Sequence, residues 1–285
     1  MAIGEERQRV VVEVVGGDGH VSVSRAYGRR VPEGDTIHRT AARLRPALSG
    51  QVLRRFEAQR MVGARPRVGE SIDVVRAHGK HLLIEFSGGL TLETHMMMTG
   101  SWHLYRPGER WRKAGHLVRA RLDVEHWVAV CFAAPVVRTF ATAGPSTPLD
   151  HLGPDLVLVD PDLDECVARI DRLGLGERPV AEVLLDQRVG NGIGNVYKSE
   201  VCWAERVDPH APMGGVPAPA QRRLFGTANR LLLVNLGGGP RRTVAGGLAV
   251  YGRRSSGCLR CGTPIRSSVS GEQTRVTYWC PTCQQ

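Results

Sequence analysis

The sequence lacks any apolar run of about 18 residues, the length that a helix needs to cross a membrane. The N-terminus also lacks the basic residues, long apolar run and small-residue cleavage site that together make a signal peptide. Residues 10–15 are too few for such a run and include the charged Glu13. The sequence therefore predicts no membrane contact and a cytoplasmic location.

Acidic residues are fewer than basic ones, with 28 Asp and Glu against 38 Lys and Arg, which leaves a formal net charge of +10. A balance of this sign favours a polyanionic partner, usually nucleic acid. The chain has 285 residues, of which 42% are hydrophobic, so it can bury a core in one large domain or two to three small ones. These values exclude a chain that is disordered throughout.

Cysteine is scarce, but four of the seven cysteines fall in the last 28 residues as two C-x2-C pairs separated by 18 residues. Two close thiolate pairs at this spacing match a tetrahedral four-cysteine zinc site on a β-hairpin. Such a zinc is structural, because it has no open coordination position. Free or disulfide-bonded cysteines are the alternative. The predicted ligands are Cys258, Cys261, Cys280 and Cys283.

The same C-terminal module is basic. Residues 241–285 contain seven arginines and one acid, Glu272, so their local charge is +6. A basic zinc module favours contact with phosphates, and a merely solubilising tail is the alternative.

Hydrophobic periodicity divides the chain into segments. Residues 32–50 predict a helix that Asp35 or Thr36 caps and Gly50 ends, and residues 51–140 predict mostly antiparallel strands of a β-sandwich or barrel. After a linker rich in proline and glycine, helical periodicity returns at 163–173, 180–187, 196–206 and 219–235. The predicted architecture is α+β with several parts: an extension at 1–31, a β-sandwich with a leading helix at 32–148, a helical domain at 149–240 and a cysteine module at 247–285.

A glycine-rich segment, residues 184–200, predicts a helix, a tight turn and a second helix. It is no dinucleotide fingerprint, because no strand precedes it and the later glycine of that motif is missing. A glycine turn that exposes free N–H groups at a helix start, beside Asn195 and Lys198, favours phosphate binding. A helix–helix corner without a ligand is the alternative.

Two further features each allow two interpretations. Lys80 lies at a predicted turn that enters a strand, where a lone lysine is most often a solvated surface charge. Residues 96–98 are three consecutive methionines, which usually fill gaps in a core. Beside the glycine turn at 99–100 they can instead project as apolar wedges into space left in a base stack. From these residues alone, the core is the favoured interpretation.

Four motifs follow one another from Pro32 to the C-terminus: PEGDT at 32–36, HGKHLL around Lys80, LLDQRVGNGIGNVYKSE at 184–200, and a cysteine module that ends in YWCPTCQ. In this combination the chain resembles the formamidopyrimidine-DNA glycosylase/endonuclease VIII family of base-excision repair enzymes. The resemblance implies a β-sandwich, a helix-two-turn-helix domain, a zinc ribbon with one structural Zn²⁺, and damaged double-stranded DNA held between the two halves. It implies DNA glycosylase and AP-lyase activity.

The resemblance also implies a role for each matching residue. Pro32 matches the nucleophile, an N-terminal proline whose secondary amine forms an iminium with C1′ of the damaged nucleoside. Glu33 matches the general acid/base, and Lys80 matches a lysine that contacts phosphate near the lesion. The remaining matches concern DNA binding. Asn195, with Lys198 beside it, matches a residue that binds phosphate, and Arg275 matches one that reaches the DNA backbone. Met98 matches a residue that fills the space left by the flipped base, so the resemblance reverses the core interpretation for Met98.

Pro32 departs from the family pattern because it is internal. A peptide-bonded proline nitrogen is a tertiary amide with a delocalised lone pair, so it cannot form a Schiff base. The preceding residue is Val31, and a valine codon can serve as a bacterial start codon. We hypothesise that translation begins at Val31. Proteolytic maturation and a catalytically silent damaged-DNA-binding protein are the alternatives.

A second departure concerns the substrate. The formamidopyrimidine branch of the family carries an Asp-x-Arg-Arg-Phe-Gly stretch, and the comparable segment here, CFAAPVVRTF at 131–140, lacks it. The segment before the cysteine module is also too short for the long lesion-covering loop of that branch. We therefore expect an enzyme of the bacterial endonuclease VIII side that acts as a monomer on oxidised pyrimidines.

Overall fold

The computed structural model describes residues 32–270 and 274–285, and Pro32–Gln285 form one compact unit. The predicted extension at 1–31 lies outside the described residues. Within them, the chain forms a helix and eight strands, then a group of helices, and finally a two-stranded hairpin. This is the α+β architecture that the sequence predicts.

The first helix, α1, spans Gly34–Leu48. Its apolar residues recur at three- and four-residue intervals, and those on one face are buried: Ile37, Ala41, Leu44 and Leu48. Gly50 follows the helix with φ +76, a conformation that glycine adopts without strain, so the predicted end is confirmed.

The predicted N-cap of α1 is wrong. Glu33, and not Asp35 or Thr36, occupies the N-cap position, and its side chain makes no capping hydrogen bond to α1. Asp35 is buried and accepts a hydrogen bond from Arg241 Nη2 at 2.6 Å. Both carboxylates bond to distant parts of the chain, and for that reason a local capping rule fails here.

Eight strands follow α1: β1 Arg55–Glu57, β2 Ile72–His78, β3 His81–Phe86, β4 Leu90–His95, β5 Ser101–Tyr105, β6 Val118–Asp123, β7 Val128–Phe132 and β8 Val136–Ala141. They form two antiparallel four-stranded sheets with the orders β1-β6-β7-β5 and β2-β3-β4-β8. Apolar side chains of both sheets and of α1 make one buried cluster. The β-sandwich with a leading helix is therefore confirmed.

A two-residue turn, Gly79 and Lys80, joins β2 to β3. Gly79 has φ +53, as the first position of a type II′ turn requires. His78 pairs with His81 across the turn, and His81 pairs with His95 of β4. The register therefore places Lys80 at the end of the hairpin, as the sequence predicts.

Four helices come next: α2 Leu163–Arg172, α3 Val180–Leu185, α4 Asn195–Glu205 and α5 Ala218–Val234. The ends of each lie within two residues of the predicted positions. Asp162 caps α2, because its carboxylate accepts a hydrogen bond from the N–H of Glu165 at 2.8 Å. Apolar residues of all four helices form a second buried cluster. The predicted helix–turn–helix at 184–200 is thus α3, a glycine turn and α4.

The C-terminal hairpin pairs β9 Arg266–Ser270 with β10 Arg275–Trp279. A small buried cluster joins the hairpin module to Trp203 of α4. Glu200 of α4 is buried, and its carboxylate accepts hydrogen bonds from the backbone N–H groups of residues 249–251 at 2.7–2.9 Å. Helix α4 therefore holds the segment that leads into the hairpin. Among the described residues, no helix combines the length and apolar character needed to span a bilayer.

Candidate active site

A buried carboxylate, Glu33, occupies the N-terminus of α4. Its Oε2 accepts hydrogen bonds from the N–H groups of Gly194 at 2.9 Å and Tyr197 at 3.3 Å, and its Oε1 accepts one from Val196 at 2.8 Å. Gly194 has to be glycine, because a Cβ there would lie 2.3 Å from Cδ of Glu33. The negative charge of Glu33 also complements the positive end of the helix dipole.

This contact corrects the prediction of free N–H groups at the glycine turn. Donors are present at the helix start, but Glu33 takes three of them, so they do not bind an external phosphate. The turn also packs against the start of α1, where Gly34 N–H donates to the Gly192 carbonyl at 2.9 Å. Glu33 and Gly194 are 161 residues apart, and no local pattern reveals their contact.

Asn195 and Lys198 bond to the C-terminal hairpin. Asn195 Nδ2 donates to the carbonyl of Val276 at 3.0 Å. The Lys198 ammonium is buried and donates to Asn195 Oδ1 at 2.7 Å and Thr277 Oγ1 at 2.8 Å. Burial lowers the pKa of Lys198 to about 8. Both side chains tie α4 to β10, and a DNA contact for either stays a prediction.

The turn that carries Lys80 is held by a second buried carboxylate. Asp155 Oδ2 accepts a hydrogen bond from Gly79 N–H at 2.7 Å and lies 3.0 Å from His38 Nε2. The buried amide of Asn191 lies against the same turn, and a Cβ on Gly79 would come within 2.0 Å of Asn191 Oδ1. The backbone under Lys80 is therefore rigidly placed.

The Lys80 ammonium itself has no hydrogen bond or ion pair within the part of the chain that the structure describes. Burial lowers its pKa to about 8, the negative charge of Glu33 opposes this shift, and the positive charge of Arg275 adds to it. Lys80 in turn contributes to the low pKa of His95. Charges at the start of α1 and on β10 therefore both act on the lysine of the β2–β3 turn.

Arg275, the first residue of β10, meets the methionine loop between β4 and β5. Its Nη1 lies 3.6 Å from the sulfur of Met98. Met96 is buried, whereas Met97 and Met98 are 48% and 50% exposed. The core interpretation is therefore right for Met96 and wrong for the other two. An exposed apolar tip beside an arginine suits a wedge, and that role for Met98 stays a prediction.

Arg241 is a site residue that the sequence analysis missed. Its guanidinium is bonded to Asp35, lies 3.8 Å from Glu33 Oε1, and stacks over the ring of Tyr197 at 4.9 Å. Although burial lowers the pKa of Arg241, the charges of Glu33 and Asp35 raise it on balance. Its partner Asp35 lies 206 residues earlier in the chain, so no motif marks the pair.

The site therefore brings together residues from three parts of the fold. Pro32 is partly buried and directly precedes Glu33. The charges of Glu33 and Arg275 both act on Lys80 and on Lys198. A buried carboxylate surrounded by cationic side chains can transfer protons next to bound phosphates.

The four predicted metal ligands also come together. Their Sγ atoms lie within 4.8 Å of one another. Cys258 Sγ and Cys283 Sγ are 4.0 Å apart, Cys261 Sγ and Cys280 Sγ are 3.5 Å apart, and none of the four cysteines is disulfide-bonded. Zinc–sulfur bonds of about 2.3 Å in a tetrahedron need sulfur atoms about 3.8 Å apart. The cluster therefore has the geometry to hold a metal ion.

Comparisons with known proteins point to one family. Residues 31–142 match the model described as formamidopyrimidine-DNA glycosylase N-terminal domain. The probable endonuclease 8 2 of Streptomyces coelicolor is 42% identical over 262 residues, which cover 89% of this chain and 94% of that protein. The DNA-(apurinic or apyrimidinic site) lyase Nei2 of Mycolicibacterium smegmatis is 35% identical over 89% of this chain and 99% of that protein.

The fold is also shared with solved structures. A complex of Lactococcus lactis Fpg with DNA that contains N7-benzyl-Fapy-dG has a TM-score of 0.76 at 22% identity, over 89% of this chain and 100% of that chain. A complex of the same protein with DNA that contains an abasic site has a TM-score of 0.75 at 22% identity. At this identity the likeness concerns the fold alone.

Proposed function

Because this chain belongs to the formamidopyrimidine-DNA glycosylase/endonuclease VIII family of bifunctional DNA glycosylases and AP lyases, we propose that it removes oxidised pyrimidines from double-stranded DNA and then cuts the strand. In this proposal Pro32, as a chain terminus, is the nucleophile and Glu33 transfers protons. Lys80 contacts phosphate near the lesion. The DNA-binding set is Asn195, Lys198, Arg275 and Met98.

The anchored carboxylate of Glu33 beside Pro32 is the observation that carries the proposal. A general acid/base has to be held within reach of the proton that it moves. Three backbone donors of α4 keep Glu33 in one orientation, and Arg241 balances its charge from 3.8 Å. A fixed carboxylate next to a proline is the pair that Schiff-base chemistry on a terminal secondary amine requires.

The chemistry needs a free amine on Pro32. Its nitrogen has no available lone pair while a peptide bond joins it to Val31. A terminal α-amine titrates near pH 8, so a usable neutral fraction exists at neutral pH. The active form in this proposal is therefore a chain whose first residue is Pro32.

The reaction then follows from the site. The target nucleotide is flipped out of the duplex, and Met98 fills the space that it leaves. The Pro32 nitrogen attacks C1′, the base leaves with a proton, and an iminium forms as the sugar ring opens. Glu33 moves the proton to and from the ring oxygen. Loss of a C2′ proton expels the 3′ phosphate, a second elimination expels the 5′ phosphate, and water frees the amine.

Zinc is the ion that we propose for the cysteine cluster. Cys258, Cys261, Cys280 and Cys283 would hold it in a closed tetrahedral site. When bound, it cross-links the ends of the hairpin that carries Arg275 and supplies no chemistry at the lesion.

The preference for oxidised pyrimidines rests on the turn between β7 and β8. Segment 131–140, CFAAPVVRTF, spans this turn and lacks the Asp-x-Arg-Arg-Phe-Gly stretch of the formamidopyrimidine branch. A cavity of about 280 Å³ opens beside Ala133 and Ala134, and Arg60 and Arg119 line it. We expect faster release of thymine glycol than of 8-oxoguanine from otherwise identical duplexes.

Borohydride trapping on a thymine-glycol duplex tests the proposed function. The chain that begins at Pro32 is expected to form a covalent adduct on the Pro32 nitrogen. Glu33→Gln is expected to slow base release by about 10²–10⁴-fold, because the general acid/base is lost. The matched control, Glu125→Gln, changes a half-exposed carboxylate paired with Arg54 on the surface and keeps full activity. Absence of an adduct while the duplex is bound contradicts the proposal and favours a binding protein.

A further inference from the structure

The four cysteines of the metal-binding set differ in their surroundings. Cys258 and Cys280 are buried, Cys283 is half-buried and Cys261 is exposed. Among the described residues, Cys258 is the only one of the four whose sulfur has a hydrogen bond from the helical domain. The donor is Trp203 of α4, whose indole Nε1 lies 3.4 Å from Cys258 Sγ. The two residues are 55 positions apart, so no motif marks this contact.

Trp203 has a second contact with the hairpin module, through Arg260. This arginine stands between the two cysteines of the first C-x2-C pair, and its guanidinium carbon lies 3.7 Å from the centroid of the indole ring. Its Nη2 donates to the carbonyl of Ala204 at 2.9 Å, and its Nη1 donates to the carbonyl of Trp203. The last turn of a helix is short of backbone donors, so Arg260 stabilises the end of α4 and holds the indole there.

The indole ring is buried, which fixes the direction of its N–H group. Trp203 is 8% exposed and belongs to the same apolar cluster as Cys258 and Cys280. A buried indole N–H usually has a hydrogen-bond partner, because leaving it without one costs free energy. Within the described part of the chain, the N–H of Trp203 makes one hydrogen bond, to Cys258 Sγ. The bond is therefore part of how α4 packs against the hairpin module.

A hydrogen bond to a metal-binding thiolate has two effects. The sulfur is negatively charged when it binds a metal ion, so an N–H donor stabilises it in that state. The bond also restricts rotation of the cysteine side chain, and the sulfur then points to the place of the metal. The backbone N–H of Arg260, 3.5 Å from Cys258 Sγ, adds a second donor. Cys258 thus combines burial with two N–H donors, whereas the exposed Cys261 lies 3.3 Å from the hydroxyl of Thr263.

We propose that Trp203 is a positioning residue of the metal site, whose indole N–H orients the Cys258 thiolate. The inference rests on the proposed function in one respect, since it needs the zinc ion proposed for the cysteine cluster. It extends the site beyond the four cysteines to a helix of another part of the fold. The same helix holds Glu33 at its N-terminus. Helix α4 therefore takes a direct part both in metal retention and in the candidate active site.

The test compares the zinc affinity of the full 285-residue chain with that of its Trp203→Phe variant, by competition with a colorimetric chelator. Phenylalanine keeps an apolar ring in the cluster and beside Arg260, but it has no N–H group. Loss of an outer partner of a metal ligand weakens metal binding by about 10–100-fold, and we expect a weakening in this range.

The matched control is Trp279→Phe. Trp279 directly precedes Cys280, and among the described residues its indole N–H bonds to no sulfur. The substitution removes the same N–H group from a tryptophan of the hairpin, so it is expected to keep the zinc affinity of the unaltered chain.

A second measurement separates the hydrogen bond from the packing of the ring. Cobalt(II) in place of zinc gives a charge-transfer band from sulfur to metal. A thiolate that loses a hydrogen bond donates its charge at lower energy. We therefore expect the band to move to longer wavelength in Trp203→Phe and to stay in place in Trp279→Phe.

Three results would overturn the inference. The first is an unchanged zinc affinity in Trp203→Phe. The second is weaker binding with an unmoved cobalt band, because ring packing and not the hydrogen bond would then hold the metal. The third is an equal weakening in Trp279→Phe, which indicates a general loosening of the hairpin. If metal analysis finds no zinc in the unaltered chain, the proposed zinc ion fails as well, while borohydride trapping alone judges the chemistry of Pro32.

Discussion

The β-sandwich and the C-terminal hairpin are held together by different means. The sandwich encloses a large cluster of buried apolar side chains from α1 and both sheets. The hairpin module shares a small cluster with Trp203 of α4, and two of its buried members, Cys258 and Cys280, belong to the metal-binding set. Because apolar burial stabilises in proportion to area, a cluster of this size contributes little by itself. Glu33 and Lys80 thus stand on a self-supporting scaffold, whereas Arg275 depends on the cysteines.

The two regions meet at α4. The N-terminus of this helix holds Glu33 from the sandwich side, while Lys198 and Glu200 hold β10 and the segment before the hairpin. A change in one region can therefore reach the other through a helix that is itself packed in the second core. The contrast predicts that the hairpin can be lost while the sandwich stays folded.

Removal of the proposed zinc ion is expected to have the largest effect. Structural zinc contributes about 10–16 kcal/mol in small zinc modules, so a chelator or Cys258→Ser should unfold the hairpin. Hydrogen exchange should become fast at residues 266–270 and 275–279 and stay slow at 81–95. The control Cys166→Ala changes a buried cysteine outside the cluster and keeps the zinc. Loss of protection in both segments would show that the two regions are one cooperative unit.

A cavity made by mutation in the sandwich core tests whether buried apolar side chains stabilise the sandwich. Leu44→Ala removes a fully buried side chain of α1 and is expected to lower the free energy of unfolding by about 2–5 kcal/mol. Zinc content, measured by metal analysis, should stay unchanged. Ala42→Gly, at an exposed position of the same helix, should cost about 1 kcal/mol. Equal losses in the two variants would contradict a core role for Leu44.

Acid is expected to weaken the sandwich through His95. Burial, with the charges of His81 and Lys80, lowers the pKa of His95 to about 4 in the folded state. The unfolded state titrates near 6.5, so it binds more protons between these values, and stability falls as the pH drops from 6.5 to 4. The loss amounts to about 3 kcal/mol. Denaturant titrations at both pH values should show a smaller loss in His95→Gln, and an identical loss would exclude His95 as the cause.

Arg275 gives the smallest expected effect. Arg275→Ala should reduce the slope of log affinity for duplex DNA against log salt by about 1, because one phosphate contact is lost. Arg266→Ala removes the same charge from the other strand of the hairpin, at an exposed position. We expect a weaker change there, because Arg275 meets Met98 at the site and Arg266 pairs opposite Trp279. Equal changes would indicate a diffuse basic surface.

Much of the fold could be predicted from local patterns. The helix periods of α1 to α5, the strand pairs around the β2–β3 turn and the two C-x2-C pairs depend on residues close in sequence. Apolar residues that alternate along a strand, or recur every three to four residues along a helix, mark the face that is buried. This pattern is the same whichever part of the protein the element packs against. The two C-x2-C pairs come together when a hairpin joins them, and β9 and β10 form that hairpin.

The amino-acid sequence by itself determined part of the site: Pro32, Glu33, Lys80 and the four cysteines are recognisable from their motifs, whereas Arg241 is not. Only the tertiary structure decided what they bond to. Glu33 accepts hydrogen bonds from N–H groups of α4 that the sequence analysis expected to be open to phosphate. The Lys198 ammonium is bonded to the hairpin, whereas the Lys80 ammonium has no hydrogen bond within the part of the chain that the structure describes. These differences arise because hydrogen-bond partners of buried polar groups come from distant segments that only packing brings together.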